Sequence, residues 1–186
     1  MSRVRGLTKE QIRSKILLEL KTQKEENRER KSKVIQEKLF RTWEFLQAKR
    51  VMFYISFDGE VDTEDMIKEA RKLGKIIAVP VSHRARIKIS PCLLQDKAKL
   101  KKGPYGTREP AVKKPVHLED LDVVIVPGIA FDKKGNRLGR GKGCYDSFLK
   151  GLPCRTVSLG LAFDFQILPS IPATSTDVSV DRVIFA

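Results

Sequence analysis

Between Asp132 and Asp146 five basic side chains, Lys133, Lys134, Arg137, Arg140 and Lys142, are interleaved with Gly135, Gly139, Gly141 and Gly143, and no carboxylate intervenes. Glycine accepts positive φ and lets the backbone approach closely, so successive N–H groups can point into one concavity and hold an anion. The cations then add charge-assisted bonds to phosphate oxygens. A hairpin tip alone would account for Lys133-Lys134-Gly135-Asn136, which is good turn chemistry. It leaves three further glycines around Arg140 and Lys142 unexplained, because a turn needs only one or two. Gly141-Lys142 is followed by Gly143 where a Walker A loop requires Ser or Thr, and GxGxG is not the GxGxxG of a dinucleotide site. The chemistry indicated is polyphosphate handling outside both motifs.

Charge placement narrows the ligand class. Lys and Arg total 37 against 23 Asp and Glu, a formal charge of +14. From Lys24 to Arg50 the basic residues alternate with glutamates, the pattern of an exposed, salt-bridged helix face. The unbalanced charge lies at Lys97 to Lys102, at Lys113 and Lys114, and in the glycine loop, with few aromatics interleaved for base stacking. That favours small anionic substrates over nucleic acid. Cys92, Cys144 and Cys154 lack CxxC spacing and only His83 and His117 could join them, so a zinc cluster is not indicated and the thiols are read as reduced. No apolar stretch is long enough to span a bilayer and the N-terminus has no apolar h-region, so a cytoplasmic monomer without membrane association is expected.

The elements that must position the loop are legible as an alternation. Thr8 and Gln11 form a capping box ahead of Ile12, Ile16, Leu17 and Leu20, which predicts a helix placing Lys9 and Arg13 on one face. A second helix is predicted to carry Val34, Ile35, Leu39, Trp43 and Leu46, with Trp43 in the core, and to lead into a strand from Val51 to Phe57. Asp62 or Thr63 caps a third helix that stops at Gly74. Strands follow at Lys75 to Val81, more weakly at Arg86 to Cys92, then at Val123 to Val126, Thr156 to Leu161 and Arg182 to Phe185, with a short helix at Tyr145 to Lys150. Gly103 to Pro115 reads as a loop, either a flap or a surface connection. The sum is a single α/β domain over residues 1–186, a mostly parallel central sheet with helices on both faces. Ligands bind such sheets beyond the carboxyl ends of the strands, where Asp58-Gly59-Glu60, the glycine loop and Asp164 would all lie.

With these residues in hand, the chain resembles the 5-formyltetrahydrofolate cyclo-ligase family, nearly end to end. GRGKGCYD at Gly139 to Asp146, preceded by VPGIAFDKKGNRL, carries most of the likeness, supported by KEQIR at Lys9 to Arg13, FDGEVDT around Glu60, and DVSVDRVI near the C-terminus. The resemblance implies an ATP- and Mg2+-dependent ligase that closes 5-formyltetrahydrofolate to 5,10-methenyltetrahydrofolate with release of ADP and phosphate. It implies ATP contacts at Lys9, Glu10, Gln11, Ile12 and Arg13, and at Arg137, Leu138, Gly139, Arg140, Gly141, Lys142, Gly143, Cys144 and Tyr145. Substrate contacts would fall to Arg13, Ile55 and Glu60 with Arg140 to Cys144, and catalysis to Lys9, Arg137, Arg140, Lys142 and Tyr145. Magnesium would be held at Asp146 and Asp181, with Asp177 the alternative to the latter. Cys144 stands where the family has a tyrosine, and a thiol does not stack as an aromatic ring does. Two other classes remain open on the residues alone: a basic RNA-binding protein, and another phosphotransferase or a sugar-phosphate isomerase on a related scaffold.

Overall fold

The computed structural model describes residues 6–83 and 87–186. Helix α1 (Lys9–Thr22) starts as its capping box dictates: Thr8 Oγ1 accepts from the Gln11 amide and Gln11 Oε1 accepts from the Thr8 amide. It buries Ile12, Ile16 and Leu20. The predicted second helix is two, α2 (Glu25–Phe40) and α3 (Trp43–Gln47), broken where Thr42 caps α3 by accepting from the Phe45 amide. The break resets the helical phase. Phe45, not Trp43, enters the core, stacking on Phe40 with centroids 4.4 Å apart, and Trp43 is left 71% exposed.

Strand β1 (Arg50–Met52) is shorter than the predicted Val51–Phe57 run, because the chain leaves the ladder after the Phe53 amide bonds Ala78 O. The polar partners of that segment come from the turn after it, where Thr63 Oγ1 accepts from the Ser56 amide and donates to Tyr54 O. Helix α4 (Glu64–Lys72) follows. Thr63 holds the N-cap position while the Asp62 carboxylate supplies the capping bond to the Glu64 amide, and Gly74 ends the helix at φ +78°.

The remaining elements are β2 (Ile76–His83), β3 (Lys88–Leu93), β4 (Leu100–Lys102), β5 (Arg108–Pro110), β6 (Val123–Val126), β7 (Ala130–Asp132), β8 (Arg137–Leu138), α5 (Cys144–Lys150), β9 (Val157–Ala162), β10 (Ile167–Leu168) and β11 (Arg182–Phe185). Of the weaker predicted strand, Arg86 lies outside the described residues. The central sheet runs β11-β9-β6-β1-β2-β3, parallel except for the β2–β3 pair. Alternation along the strands divides the core. Val51, Val123, Ile125, Leu159 and Leu161 pack with residues of α1 to α4 on one face, and Met52, Val124, Val126 and Ala162 pack with Phe148 and Leu149 of α5 on the other. The Gly103 to Pro115 segment is not simply a loop: it carries β5 of the antiparallel β4–β5 hairpin, tied down where Arg108 donates to Ser56 O and Glu109 Oε1 accepts from the Ser82 amide.

Candidate active site

The glycine-rich segment is divided by the fold. Its first part is a hairpin, β7 to β8, in which Asp132 Oδ1 accepts from the Lys134 and Asn136 amides. Lys133 and Lys134 sit on that turn and line neither cavity described below, so the hairpin reading is correct for them. Gly135 is needed there because a Cβ would lie 2.1 Å from Val180 O. The anion-binding reading is confined to Arg137 through Tyr145, which crosses from β8 into α5.

Two cavities meet along this stretch. One, of about 500 Å³, is lined by Lys9, Arg13, Arg137, Arg140, Lys142 and Lys150 against only two carboxylates, Asp146 and Asp177. An excess of cations in one concavity raises the local concentration of polyanions. The second, of about 350 Å³, is apolar on most of its wall, with Tyr54, Ile55, Phe57, Pro80, Ile89, Tyr105 and Ile129, and it contains Glu60. Arg137, Gly139, Arg140, Lys142, Cys144 and Tyr145 line both. An apolar cleft with a few convergent polar groups suits a flat organic ligand.

Helix α1 supplies only part of its predicted contribution. Lys9 and Arg13 reach the cationic cavity, one turn apart on the same face. Arg13 Nε donates to Gly139 O at 2.9 Å, so the helix is docked on the glycine loop. Gln11 is used in the capping box, Ile12 is in the core and Glu10 is exposed. None of the three lines the cavity, since they project from other sides of the helix.

Arg140 joins the cavities to the turn after β1. Its guanidinium donates to Asp58 Oδ2 at 3.1 Å and to Glu60 Oε1 at 3.2 Å and lies over the Phe57 ring. That turn needs glycine at 59: φ is +80°, and a Cβ would sit 2.1 Å from Leu20 O. Burial pushes the Glu60 carboxyl up to about 7 even though Arg140 pulls the other way. Burial also raises the Tyr145 phenol far above its ordinary value, so the hydroxyl is neutral, and it raises the Cys144 thiol. Lys142 Nζ stands 3.7 Å from the centroid of Tyr105 on the β4–β5 hairpin. Ile55 and Leu138 serve both readings, each buried in the core and lining a cavity.

The carboxylates do not fall where expected. Asp146 is on the cationic cavity, its Oδ1 accepting from Arg137 and from the Val178 amide. Asp181 is not brought to it. It sits just before β11, at the amino end of β9, with Oδ2 taken by the Ser158 amide and hydroxyl, whereas the cavities open at the carboxyl ends. Asp177 lines the cavity instead, accepting from Lys9 at 2.5 Å and from Thr174. Partial burial works against it, but those bonds hold Asp177 below the usual carboxylate range. Asp164 pairs with Lys31 of α2 and lines neither cavity. No group of three or more His, Cys, Asp or Glu side chains able to hold a metal occurs among the described residues. Two carboxylates beside a cationic cavity fit Mg2+, which keeps several waters and is bound by one or two carboxylates rather than by an all-protein cage.

Sequence reasoning missed Tyr54, Tyr105, Thr107 and Arg108 on the apolar cavity and Thr174 and Thr176 on the cationic one. For the hairpin the signal was available in Gly103-Pro104-Tyr105-Gly106, a turn composition flanked by lysines.

Comparison with known proteins places the chain in a family. A family model described as the 5-formyltetrahydrofolate cyclo-ligase family matches residues 5–186. The 5-formyltetrahydrofolate cyclo-ligase of Mus musculus is 31% identical over 187 residues, covering 94% of this chain and 91% of its own. The solved structure of the Aquifex aeolicus 5,10-methenyltetrahydrofolate synthetase superposes with a TM-score of 0.84 at 34% identity, over 96% of this chain and 90% of that one. The Mycoplasma pneumoniae synthetase, at 23% identity and a TM-score of 0.79 over 96% of this chain and 98% of that one, shares the fold. On a match this complete, the chain belongs to the 5-formyltetrahydrofolate cyclo-ligase family, a family of ligases.

Proposed function

We propose that this chain catalyses the ATP- and Mg2+-dependent cyclisation of 5-formyltetrahydrofolate to 5,10-methenyltetrahydrofolate, releasing ADP and phosphate, as a single-domain cytoplasmic monomer. The observation that carries it is the shared wall: a cationic cavity and an apolar one meet along Arg137, Gly139, Arg140, Lys142, Cys144 and Tyr145. Such a wall serves a reaction that transfers a group between a polyphosphate and a heterocycle.

The chemistry needs that arrangement. An N-formyl group is amide-like and a poor electrophile, so its oxygen must become a leaving group. Transfer of the γ-phosphoryl group from ATP forms the formyl O–P bond and breaks the bond to ADP. N10 then attacks the formyl carbon and loses its proton, and the C–O bond breaks with departure of phosphate. Little covalent work falls to the protein, which aligns the reactants and neutralises charge. Lys9, Arg13, Arg137, Arg140 and Lys142 are placed to do the second. Glu60, buried beside Arg140, fixes the heterocycle from the apolar side, and Tyr145, half-buried, lines both cavities at their junction.

Magnesium would be held by Asp146 and Asp177, rather than Asp181, and would supply charge neutralisation on the phosphate oxygens. No helix of the described residues is long and apolar enough to cross a membrane. The test is incubation of purified protein with ATP, Mg2+ and 5-formyltetrahydrofolate, following methenyl absorbance and ADP together. One ADP per methenyl group is expected; methenyl formation without ATP, or ADP without methenyl, refutes the proposal.

A further inference from the structure

Asp58 lines neither ligand cavity, yet its carboxylate is bonded to a side chain that lines both. Its Oδ2 accepts from Arg140 at 3.1 Å, and among the described residues this is the one hydrogen bond the Asp58 side chain makes. Lys21 Nζ lies 3.8 Å from the other oxygen, on a side chain 58% exposed, where an ion pair contributes little.

The turn itself does not need that carboxylate. The Glu60 amide donates to Phe57 O at 3.2 Å, and between them Asp58 and Gly59 have φ of +55° and +80°, the two positive values of a type I′ turn, in which Asn and Gly serve as well as Asp. Neighbouring elements fix the turn in place: Gln23, at the end of α1, donates to Gly59 O at 2.8 Å, and Arg28 of α2 donates to Glu60 O at 3.3 Å. Asp58 is thus presented at a fixed point by contacts that other residues make.

Arg140 does need an anchor. It stands between Gly139 and Gly141, the latter at φ +92°, so its own backbone constrains the long side chain only weakly. Ordering such a side chain costs rotamer entropy, and a site that orders it before the substrates arrive spares that cost during the reaction. Glu60 also accepts from Arg140, at 3.2 Å, but Glu60 is inside the apolar cavity, where a heterocycle would draw on the same carboxylate. Asp58 is outside it and keeps its hold.

We infer that Asp58 is a positioning residue: it holds the Arg140 guanidinium at the junction of the two cavities, so that Glu60 can engage the heterocycle while Arg140 neutralises charge on the transferring phosphoryl group. This inference rests on the function proposed above. Its effect falls on kcat, since a preorganised charge acts on the transition state more than on ground-state binding.

The test compares Asp58→Gly, which removes the carboxylate from a turn that suits glycine, with Asp58→Asn, which keeps a neutral acceptor, each made in the wild type and in Arg140→Ala. Asp58→Gly lowers kcat for methenyl formation about tenfold, with the KM for ATP and that for 5-formyltetrahydrofolate within about threefold of wild type. Asp58→Asn loses less, because a neutral acceptor bonds a guanidinium more weakly than a carboxylate does. In the Arg140→Ala background neither change lowers kcat further by more than about twofold, because the group being held is gone. Melting temperatures of both single variants stay within about 3 °C of wild type, and Lys21→Ala, which removes the other neighbour of the carboxylate, leaves kcat unchanged. A kcat for Asp58→Gly within about twofold of wild type, equal losses with and without Arg140, or a melting temperature lowered by more than about 5 °C in both variants overturns the inference and leaves the proposed function standing. A wild type that forms no methenyl product overturns both.

Discussion

Replacing Glu60 by glutamine should make the protein more stable, and increasingly so as pH rises. Glu60 is 6% exposed, and its carboxyl is pushed from 4.5 to about 7 chiefly by burial. Between those values the folded chain holds a proton that the unfolded chain has released. The slope of unfolding free energy with pH follows protons bound by the unfolded state minus those bound by the folded state, and is negative here. Stability attributable to this group is thus greatest below the unfolded value and falls as pH climbs to about 7, then levels off. A displacement of about 2.5 units at about 1.4 kcal/mol per unit gives a loss of about 3 kcal/mol, an upper figure. Glutamine has no such loss. Urea titrations of wild type and Glu60→Gln at about pH 4.5 and about pH 8.5 should show a stability difference near zero at the acid end and up to about 3 kcal/mol in favour of the variant at the basic end, a separation in melting temperature of up to about 10 °C for a chain of this size. The variant should also bind 5-formyltetrahydrofolate more weakly while ATP binding persists. A difference that is constant across pH, or one favouring the wild type at high pH, would show that Glu60 ionises normally and that its bond to Arg140 stabilises the fold; the argument from burial would then be wrong.

Lys142→Ala should lower kcat by about 10²-fold while changing stability by about 1 kcal/mol or less, the scale of its contact with the Tyr105 ring; denaturation and turnover measured side by side check it. Gly59→Ala should destabilise by about 2 kcal/mol or more, because φ is +80° and a Cβ would meet Leu20 O at 2.1 Å, and the displaced turn should raise the folate KM, both readable from urea curves and initial rates. Asp177→Asn should raise the Mg2+ concentration for half-maximal rate about tenfold, whereas Asp181→Asn should leave it unchanged and cost about 1 kcal/mol of stability through its bonds to Ser158; a Mg2+ titration in which Asp181→Asn is the defective variant reverses the assignment.

Local signals were reliable where the physics is local. The capping box at Thr8 and Gln11, the glycine stop at Gly74, the continuous apolar run Val123 to Val126 that is buried on both faces and the strand Arg182 to Phe185 all depend on interactions within a few residues or on a period of two. The Trp43 assignment failed for a related reason: Leu39 and Trp43 share a face only while the helix is continuous, and the cap at Thr42 starts a new phase. No amphipathic pattern announces such a break, because the cap residue is also a tolerable helix residue.

The sequence by itself determined the alternating α/β elements, the glycine-and-cation composition of the loop, and the presence of one carboxylate at position 60, since these are matters of residue type and short spacing. Only the tertiary structure decided which of these residues meet. Strand order β11-β9-β6-β1-β2-β3 sets the connection between β6 and α5 beside the turn after β1, where Arg140 meets Glu60 across eighty positions of sequence. It brings Asp177 to Lys9 and leaves Asp181, four residues later, at the opposite end of the sheet. It also stands the β4–β5 hairpin against the apolar cavity. Pairings of that range are fixed by burying two sheet faces at once, and burial is a property of the whole packed chain rather than of any window within it.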